Sequence, residues 1–360
     1  MSSISVLRVI YDLQVGGVQR MLLKAIPLLR DKGIETEICC LKQKGELESE
    51  FAKQKIKVHL IPFISRLDPI GLFRLRSLVK KGKFDIVHSH MYASNIAVNI
   101  ALLGMRGIKI INSYHSQTPV SGSGQGRMLR WTKGIPDVVV AVSNSVKLPI
   151  VELGIAEEKI AVIYNGVDCP PAPIPFAKRD DNSPIEIVWA GRFVKAKRAD
   201  RFLDLMQLCK DKNVPAHLTL VGDGPKWNGI KTRIGNAGLD DMITLVGWQS
   251  DIKPYVDNAD IYLSMSEREG FPNTILEVCG RGRPFLVRDI PPNREVYESS
   301  AGGFLFNDDL HECFEVIKKL QQDRKKLELL GLNAFKIAQK FSIENNLEKT
   351  VRMYKGLLNI

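Results

Sequence analysis

The chain has 360 residues, 44% of them hydrophobic and 25% charged. At roughly 150 residues per domain this predicts two domains, each able to bury a core, and excludes a disordered, collagen-like or disulfide-scaffold protein. The formal net charge is +11, and it is uneven: residues 1–170 hold 23 Lys and Arg against 14 Asp and Glu (+9), the remainder 28 against 26 (+2), so the first half is expected either to meet an anionic partner (a membrane surface, a phosphate-bearing substrate or nucleic acid) or to carry a solvated basic face.

The first apolar run, 6–11, begins almost at once, so no targeting segment is expected ahead of the fold. Further strand-like runs follow at 36–41, 58–61, 86–88, 109–114, 138–142 and 161–164, with helical patterns such as 19–31 and 93–103 between them. This alternation predicts a parallel sheet with helices on both faces. Residues 169–184 carry Pro170, Pro171, Pro173, Pro175 and Pro184 around a polar stretch, the composition of an interdomain linker. The rhythm then restarts, with strands at 185–190, 217–221, 243–245, 261–264 and 285–287 and helices at 199–209, 274–279 and 310–322. Two α/β halves, 1–168 and 185–342, with a cleft between them are expected, and the helical tail 343–360 is expected to pack back on the first half. The six cysteines include no Cys-x-x-Cys pair, which fits a reducing, cytoplasmic setting. No apolar run reaches the ~18 residues of a membrane span.

Four segments carry chemistry. Gly16 and Gly17 stand between the first strand and a helix, where glycines admit a phosphate or simply make a tight turn. Gly191 and Arg192, followed by Lys197, end the first strand of the second half, at the strand edge where α/β sheets bind ligands; an Arg and a Lys there can clamp a diphosphate. Gly222 and Gly224 shape a turn able to admit a nucleobase or phosphate to the backbone. The strongest segment runs from Ser266 to Glu277: a strand enters it and a helix leaves near Asn273 or Thr274, both suited to cap it, so the backbone N–H groups of the loop can turn toward a ligand. Its two carboxylates, Glu269 and Glu277, need a use if they are buried.

Taken with the DIVHSH run at 85–90, Tyr114-His115-Ser116, the YNGVD run at 164–168, Ala259-Asp260, Asp289 and Asn293-Arg294-Glu295, these segments make the chain resemble the retaining glycosyltransferases of family 4, whose GT-B fold has two facing Rossmann-like domains. The resemblance covers nearly the whole length. It implies that Glu277 holds the donor ribose and that Glu269 lies beside the transferred sugar. Gly270, Phe271, Pro272 and Asn273 would line the sugar and phosphate pocket, and Arg192 and Lys197 would bind the diphosphate. Gly16 and Gly17 would face the diphosphate from the first domain, and His115 would stand near the sugar and the departing phosphate. The expected donor is a nucleotide sugar, a UDP-sugar foremost. No metal is required, because Arg192, Lys197 and loop amides can stabilise the charge that develops on the leaving diphosphate. In this family the donor phosphate takes the acceptor proton, so no enzyme nucleophile is needed. His88 and His90, two apart on a strand, are expected on one face.

The chain departs from the family pattern at Arg281 and Arg283, where small residues are favoured, and at Pro291 and Pro292, where a glycine pair is frequent. On the acceptor side, residues 72–81 read as a basic amphipathic helix for an anionic membrane or, preferably, as an ordinary helix facing its own sheet. Residues 121–127 read as a flexible loop placed to cover an acceptor. A glycan or lipid-linked acceptor, met by peripheral contact with the membrane, is the partner expected. Nucleic acid is disfavoured because no basic–aromatic stripe is present. A sugar phosphorylase, an epimerase of the same fold or a non-catalytic sugar-nucleotide binder are the competing readings.

Overall fold

The computed structural model describes residues 3–65, 67–116, 124–180, 182–297 and 301–360. The chain divides into two units, residues 1–166 with 343–360, and residues 167–342.

In the first unit seven strands form one parallel sheet: β1 (Ile4–Asp12), β2 (Ile34–Gln43), β3 (Val58–Leu60), β4 (Ile86–His90), β5 (Lys109–Tyr114), β6 (Val138–Ala141) and β7 (Ile160–Val162), in the order β3-β2-β1-β4-β5-β6-β7. The strands are near-continuous apolar runs because helices cover both faces. On one face Leu7, Val9 and Val87 pack against Leu75 and Val79 of the helix Pro69–Gly82 and Ala97 and Val98 of the helix Tyr92–Ala101. On the other, Val6 and Ile86 pack against Ala25 and Leu29 of the helix Gly17–Arg30 and Leu347 and Tyr354 of the C-terminal helix Ile343–Leu358. The tail thus closes the face of a sheet whose first strand lies more than 300 residues earlier.

In the second unit β8 (Ile185–Ala190), β9 (Ala216–Val221), β10 (Ile243–Gly247), β11 (Ile261–Ser264), β12 (Phe285–Arg288) and β13 (Gly303–Phe306) form a parallel sheet in the order β10-β9-β8-β11-β12-β13. Both orders reverse beside the first strand of their sheet. The doubly-wound α/β fold expected from the sequence is therefore present twice, with switch points at β1/β4 and β8/β11, where such sheets bind ligands.

Several local expectations need correcting. The proline-rich stretch does not stand apart from the second unit; Arg283, fully buried, donates to the carbonyls of Ile174 (2.6 Å) and Pro175 (3.0 Å), and Arg179 pairs with buried Asp260 at 3.0 Å. Residues 124–127, expected in a loop, belong to the helix Gly124–Thr132, while 121–123 lie outside the described residues. Pro291 and Pro292 open the helix Pro291–Tyr297, a position where the missing N–H has no cost. Strand β13 and the helices Asn144–Glu152 and Lys325–Lys340 were not anticipated: the strand is four residues long and begins with glycine, and the first of these helices contains Pro149.

Candidate active site

The β8/β11 switch point gathers most of the expected site in the second unit. Leaving β8, the chain is anchored by Phe193, fully buried between Trp189 and Trp227 with ring centroids at 4.9 and 5.1 Å. That anchor leaves Arg192 exposed, with no ion pair among the described residues, and delivers the chain into the 3-10 turn Lys195–Lys197. Arg198 then takes a left-handed conformation (φ 51°), which reverses the chain.

This turn is stitched to the loop that follows β11. Glu267 N donates to Ala196 O (2.9 Å), Arg198 Nη1 to Glu267 Oε1 (2.6 Å), and Lys197 Nζ to Glu269 Oε1 (2.5 Å). The Lys197 and Glu269 side chains are 27% and 18% exposed, so their attraction is screened less than at an open surface. Phe271, 5% exposed, packs against Phe341, and Pro272 is buried beside it; these apolar anchors fix the loop. The helix Asn273–Gly280 starts one residue past Pro272, which is its N-cap, with no side-chain capping bond. Asn273 and Thr274 are therefore not caps as expected; the Asn273 N–H donates to Phe271 O (2.9 Å), and the helix turns its positive end toward this loop. Half-buried Glu277 lies in the second turn. Tyr262 is buried on β11, and its phenol pKa is pushed up by burial first and then by the charges of Glu269 and Glu277. Both carboxylates therefore act on one buried phenol, a residue that the motif reading did not single out.

Gly222 and Gly224 serve a different purpose from the one expected. Gly222 lies at φ 138°, and a Cβ there would stand 1.9 Å from Gly191 O; one at Gly224 would stand 2.8 Å from Phe193 N. The Gly222 N–H donates to Gly247 O (2.8 Å). What these glycines admit is the backbone of the Gly191–Phe193 segment, so they support the Arg192 loop and Gly222 offers no N–H to a ligand.

The first unit carries the remaining expected residues at the carboxyl ends of its strands. Gly16, extended, is the N-cap of the helix Gly17–Arg30, again without a side-chain capping bond; a Cβ on it would meet Gln19 Oε1 at 2.6 Å. Gly17 is exposed. His88 and His90 do share a face of β4, with rings stacked at 4.5 Å. His90 Nδ1 lies 3.0 Å from His115 Nε2, just past β5, while His115 Nδ1 is buried with no partner among the described residues. Met91, immediately after His90, holds φ 69°, the kind of backbone strain that concentrates at functional sites.

Arg8 completes this cluster. It is 4% exposed inside β1, opposite His88 in the β1–β4 register. Its Nη1 donates to His90 Nε2 (3.1 Å) and its Nη2 to the Tyr354 hydroxyl (3.1 Å). Burial, followed by the charge of Arg8, lowers the His115 pKa to about 4, and burial holds His88 and His90 well below their usual value. All three imidazoles are neutral at pH 7. A lone arginine in an otherwise apolar strand was the signal in the sequence, since a buried guanidinium needs partners.

The sequence matches two family models, glycosyltransferase family 4 over residues 15–170 and glycosyl transferases group 1 over residues 173–337. It is 25% identical to the UDP-Gal:alpha-D-GlcNAc-diphosphoundecaprenol alpha-1,3-galactosyltransferase of Escherichia coli, with 94% of each chain covered. It is also 25% identical to the capsular polysaccharide biosynthesis glycosyltransferase CapH of Staphylococcus aureus, with 93% of this chain and 95% of that one covered. Among solved structures, HepE of Anabaena in complex with UDP superposes with a TM-score of 0.83 at 18% identity, covering 98% of this chain and all of that one (100%). TarM superposes at 0.82 and 14% identity, covering 97% and 98%. Two Rossmann-like units, motifs gathered at their switch points and matches running from residue 15 to residue 337 lead to one conclusion: the chain is a glycosyltransferase of family 4, with the GT-B fold.

Proposed function

We propose that this enzyme moves a hexose or N-acetylhexosamine from a UDP-sugar, with retention of anomeric configuration and without a metal, onto a lipid-linked or glycan acceptor in cell-surface polysaccharide or lipopolysaccharide synthesis. The carrying observation is the Lys197–Glu269 pair, which joins the loop after β8 to the Glu269–Glu277 segment at the β8/β11 switch point, with Arg192 exposed in the same loop. The names of the relatives, which include a galactosyltransferase acting on a diphosphoundecaprenol-linked sugar and a lipopolysaccharide 1,6-galactosyltransferase, support the acceptor class. A neighbour solved with UDP-glucose supports the donor class.

In this reading Glu277 accepts from the ribose hydroxyls. Arg192, Lys197 and the positive N-terminal end of the helix Asn273–Gly280 stabilise the diphosphate as the anomeric bond breaks. The acceptor oxygen attacks from the leaving-group side, and its proton passes to the departing phosphate oxygen. Glu269 stays paired with Lys197 and orients it. A panel of UDP-, GDP- and ADP-sugars, measured by calorimetry and slow hydrolysis in EDTA, tests this. One UDP-sugar is expected to bind, and Arg192→Ala and Glu277→Ala are each expected to weaken it more than about tenfold. If no nucleotide sugar binds, the assignment of the site fails.

Membrane contact is proposed on a separate observation. The stripe Leu72, Leu75, Leu78 and Val79 faces the protein's own core, as the preferred reading of 72–81 had it. The opposite face of that helix and the loop before it instead expose Ile64 (94%), Leu67 (55%), Ile70 (59%) and Phe73 (73%), beside exposed Arg74, Lys80 and Lys81. Apolar residues next to basic ones suit the headgroup boundary of an anionic leaflet. Among the described residues no helix is long and apolar enough to cross a membrane. Sedimentation with phosphatidylglycerol vesicles at low salt is expected to capture the protein, neutral vesicles to leave it in solution, and Ile70→Asp with Phe73→Asp to reduce capture at least about tenfold. Equal partition of the two proteins removes this surface from consideration.

A further inference from the structure

The histidine cluster of the first unit has a direction, and Arg8 imposes it. A guanidinium only donates hydrogen bonds. Because Arg8 Nη1 lies 3.1 Å from His90 Nε2, that nitrogen must accept, and the single proton of a neutral imidazole is left on His90 Nδ1. His90 Nδ1–H then donates to His115 Nε2 at 3.0 Å, which places the His115 proton on Nδ1, the buried atom with no partner among the described residues. The second Nη group directs a parallel chain. Arg8 Nη2 donates to the Tyr354 hydroxyl (3.1 Å), and the hydroxyl's own hydrogen points to His88 Nδ1 at 2.6 Å. Arg8 and His88 are the hydroxyl's only partners among the described residues. His88 Nε2–H is left to donate to Ser113 Oγ at 2.7 Å. Two imidazoles stacked at 4.5 Å therefore carry opposite tautomers.

We propose that Arg8 is a positioning residue that acts through His90 to hold His115 as the Nδ1–H tautomer, so that His115 meets a hydroxyl or phosphate oxygen of the bound donor as a hydrogen-bond donor. The role toward the donor rests on the function proposed above; the tautomers do not. A buried N–H without an acceptor among the described residues is costly to retain, and a ligand oxygen that arrives to accept it recovers that cost. The neutrality of all three rings, caused by burial and by the charge of Arg8, is the condition that each carries a single proton. Lys or Met in place of Arg8 cannot direct both chains, because neither offers two divergent Nη donors.

The test begins with the unaltered, ligand-free protein. Long-range proton–nitrogen correlation spectra of histidine-labelled enzyme are expected to show His90 and His115 protonated at Nδ1 and His88 at Nε2. Any other pattern overturns the proposal, and no variant needs to fold for that result. The functional arm is a double-mutant cycle. Arg8→Met is expected to lower kcat/KM about tenfold, the scale of one lost hydrogen bond, and to have no further effect in a His115→Asn background, where the amide donates whatever Arg8 does. Independent, multiplying effects overturn the relay. The assigned tautomers in a protein that binds no UDP-sugar would fail the function reading and leave the relay standing; donor binding with different tautomers would do the reverse.

Discussion

Lys197→Ala lowers kcat/KM by about 10²–10³-fold, the scale expected when one donor to a developing anion is removed, while leaving the thermal midpoint nearly unchanged. The reason is double. The substitution deletes a cation placed for the leaving diphosphate, and it strips Glu269 of the ammonium held 2.5 Å away. The carboxylate, only 18% exposed, then presents an unpaired negative charge where phosphate charge develops. Two consequences distinguish this account from a simple loss of contact. Lys197→Ala is more damaging than Arg192→Ala, because Arg192 is exposed and leaves no orphaned partner. Adding Glu269→Ala to Lys197→Ala recovers part of the lost activity, since the repulsion goes with the carboxylate. Stability barely moves because both side chains keep some contact with water, at 27% and 18% exposure, where such a pair contributes about 1 kcal/mol or less to folding. Steady-state kinetics with the donor found in the panel measure all three; unchanged turnover in Lys197→Ala removes the pair from the mechanism.

Arg283→Met destabilises the second unit by about 4 kcal/mol, the range for breaking a buried charged network, lowering its thermal midpoint by on the order of 10 °C. Arg283 is fully buried, and burial lowers its pKa to about 10, still leaving it charged at neutral pH. Its guanidinium donates to five carbonyls: Ala259 (2.8 Å), Ile174 (2.6 Å), Arg281 (3.2 Å), Pro175 (3.0 Å) and Asp257 (2.6 Å). It also stacks on Phe176, at 4.3 Å from the ring centroid. Met fills much of the volume but withdraws the guanidinium donor from all five carbonyls, of which that of Arg281 keeps its bond from Ile174 N (3.2 Å). The neighbouring Arg281 is the control. It pairs with Asp257 at a partly exposed site (2.5 Å; side chains 18% and 28% exposed), so Arg281→Met costs about 1 kcal/mol or less. Equal losses in the two melting curves would show that the carbonyl network contributes nothing special. The departure from the family's small residues at this position is thus explained: Arg283 fastens residues 174–176 of the proline-rich stretch to the second unit, whose first strand comes later in the chain.

The alternation of short apolar runs with longer helical patterns was enough for the architecture. Strands buried on both faces must be apolar throughout, and the crossovers between parallel strands must be long; both leave marks in a single sequence. The motif positions were legible for a related reason. Gly191-Arg192, Lys197 and the Glu269–Glu277 segment follow strand ends, and strand ends at a switch point are where a sheet has room for a ligand. Propensity failed where packing overrules it, as in the four-residue β13 and in the helix that keeps Pro149 in its interior. Spacing likewise could not tell a glycine that admits a ligand from one that admits backbone: Gly222 is glycine because Gly191 O would lie 1.9 Å from its Cβ, a contact between two loops after different strands.

The buried relay lies furthest from anything sequence spacing can express. Arg8, His90 and Tyr354 are brought together by the pairing of β1 with β4 and by a C-terminal helix that arrives 346 residues after Arg8. Local periodicity reports which face of an element is apolar. It carries no information on which polar atoms of distant elements will meet, because hydrogen-bond partners are chosen by register and packing once the sheet has formed, and the proton positions that follow from those partners are properties of the assembled core.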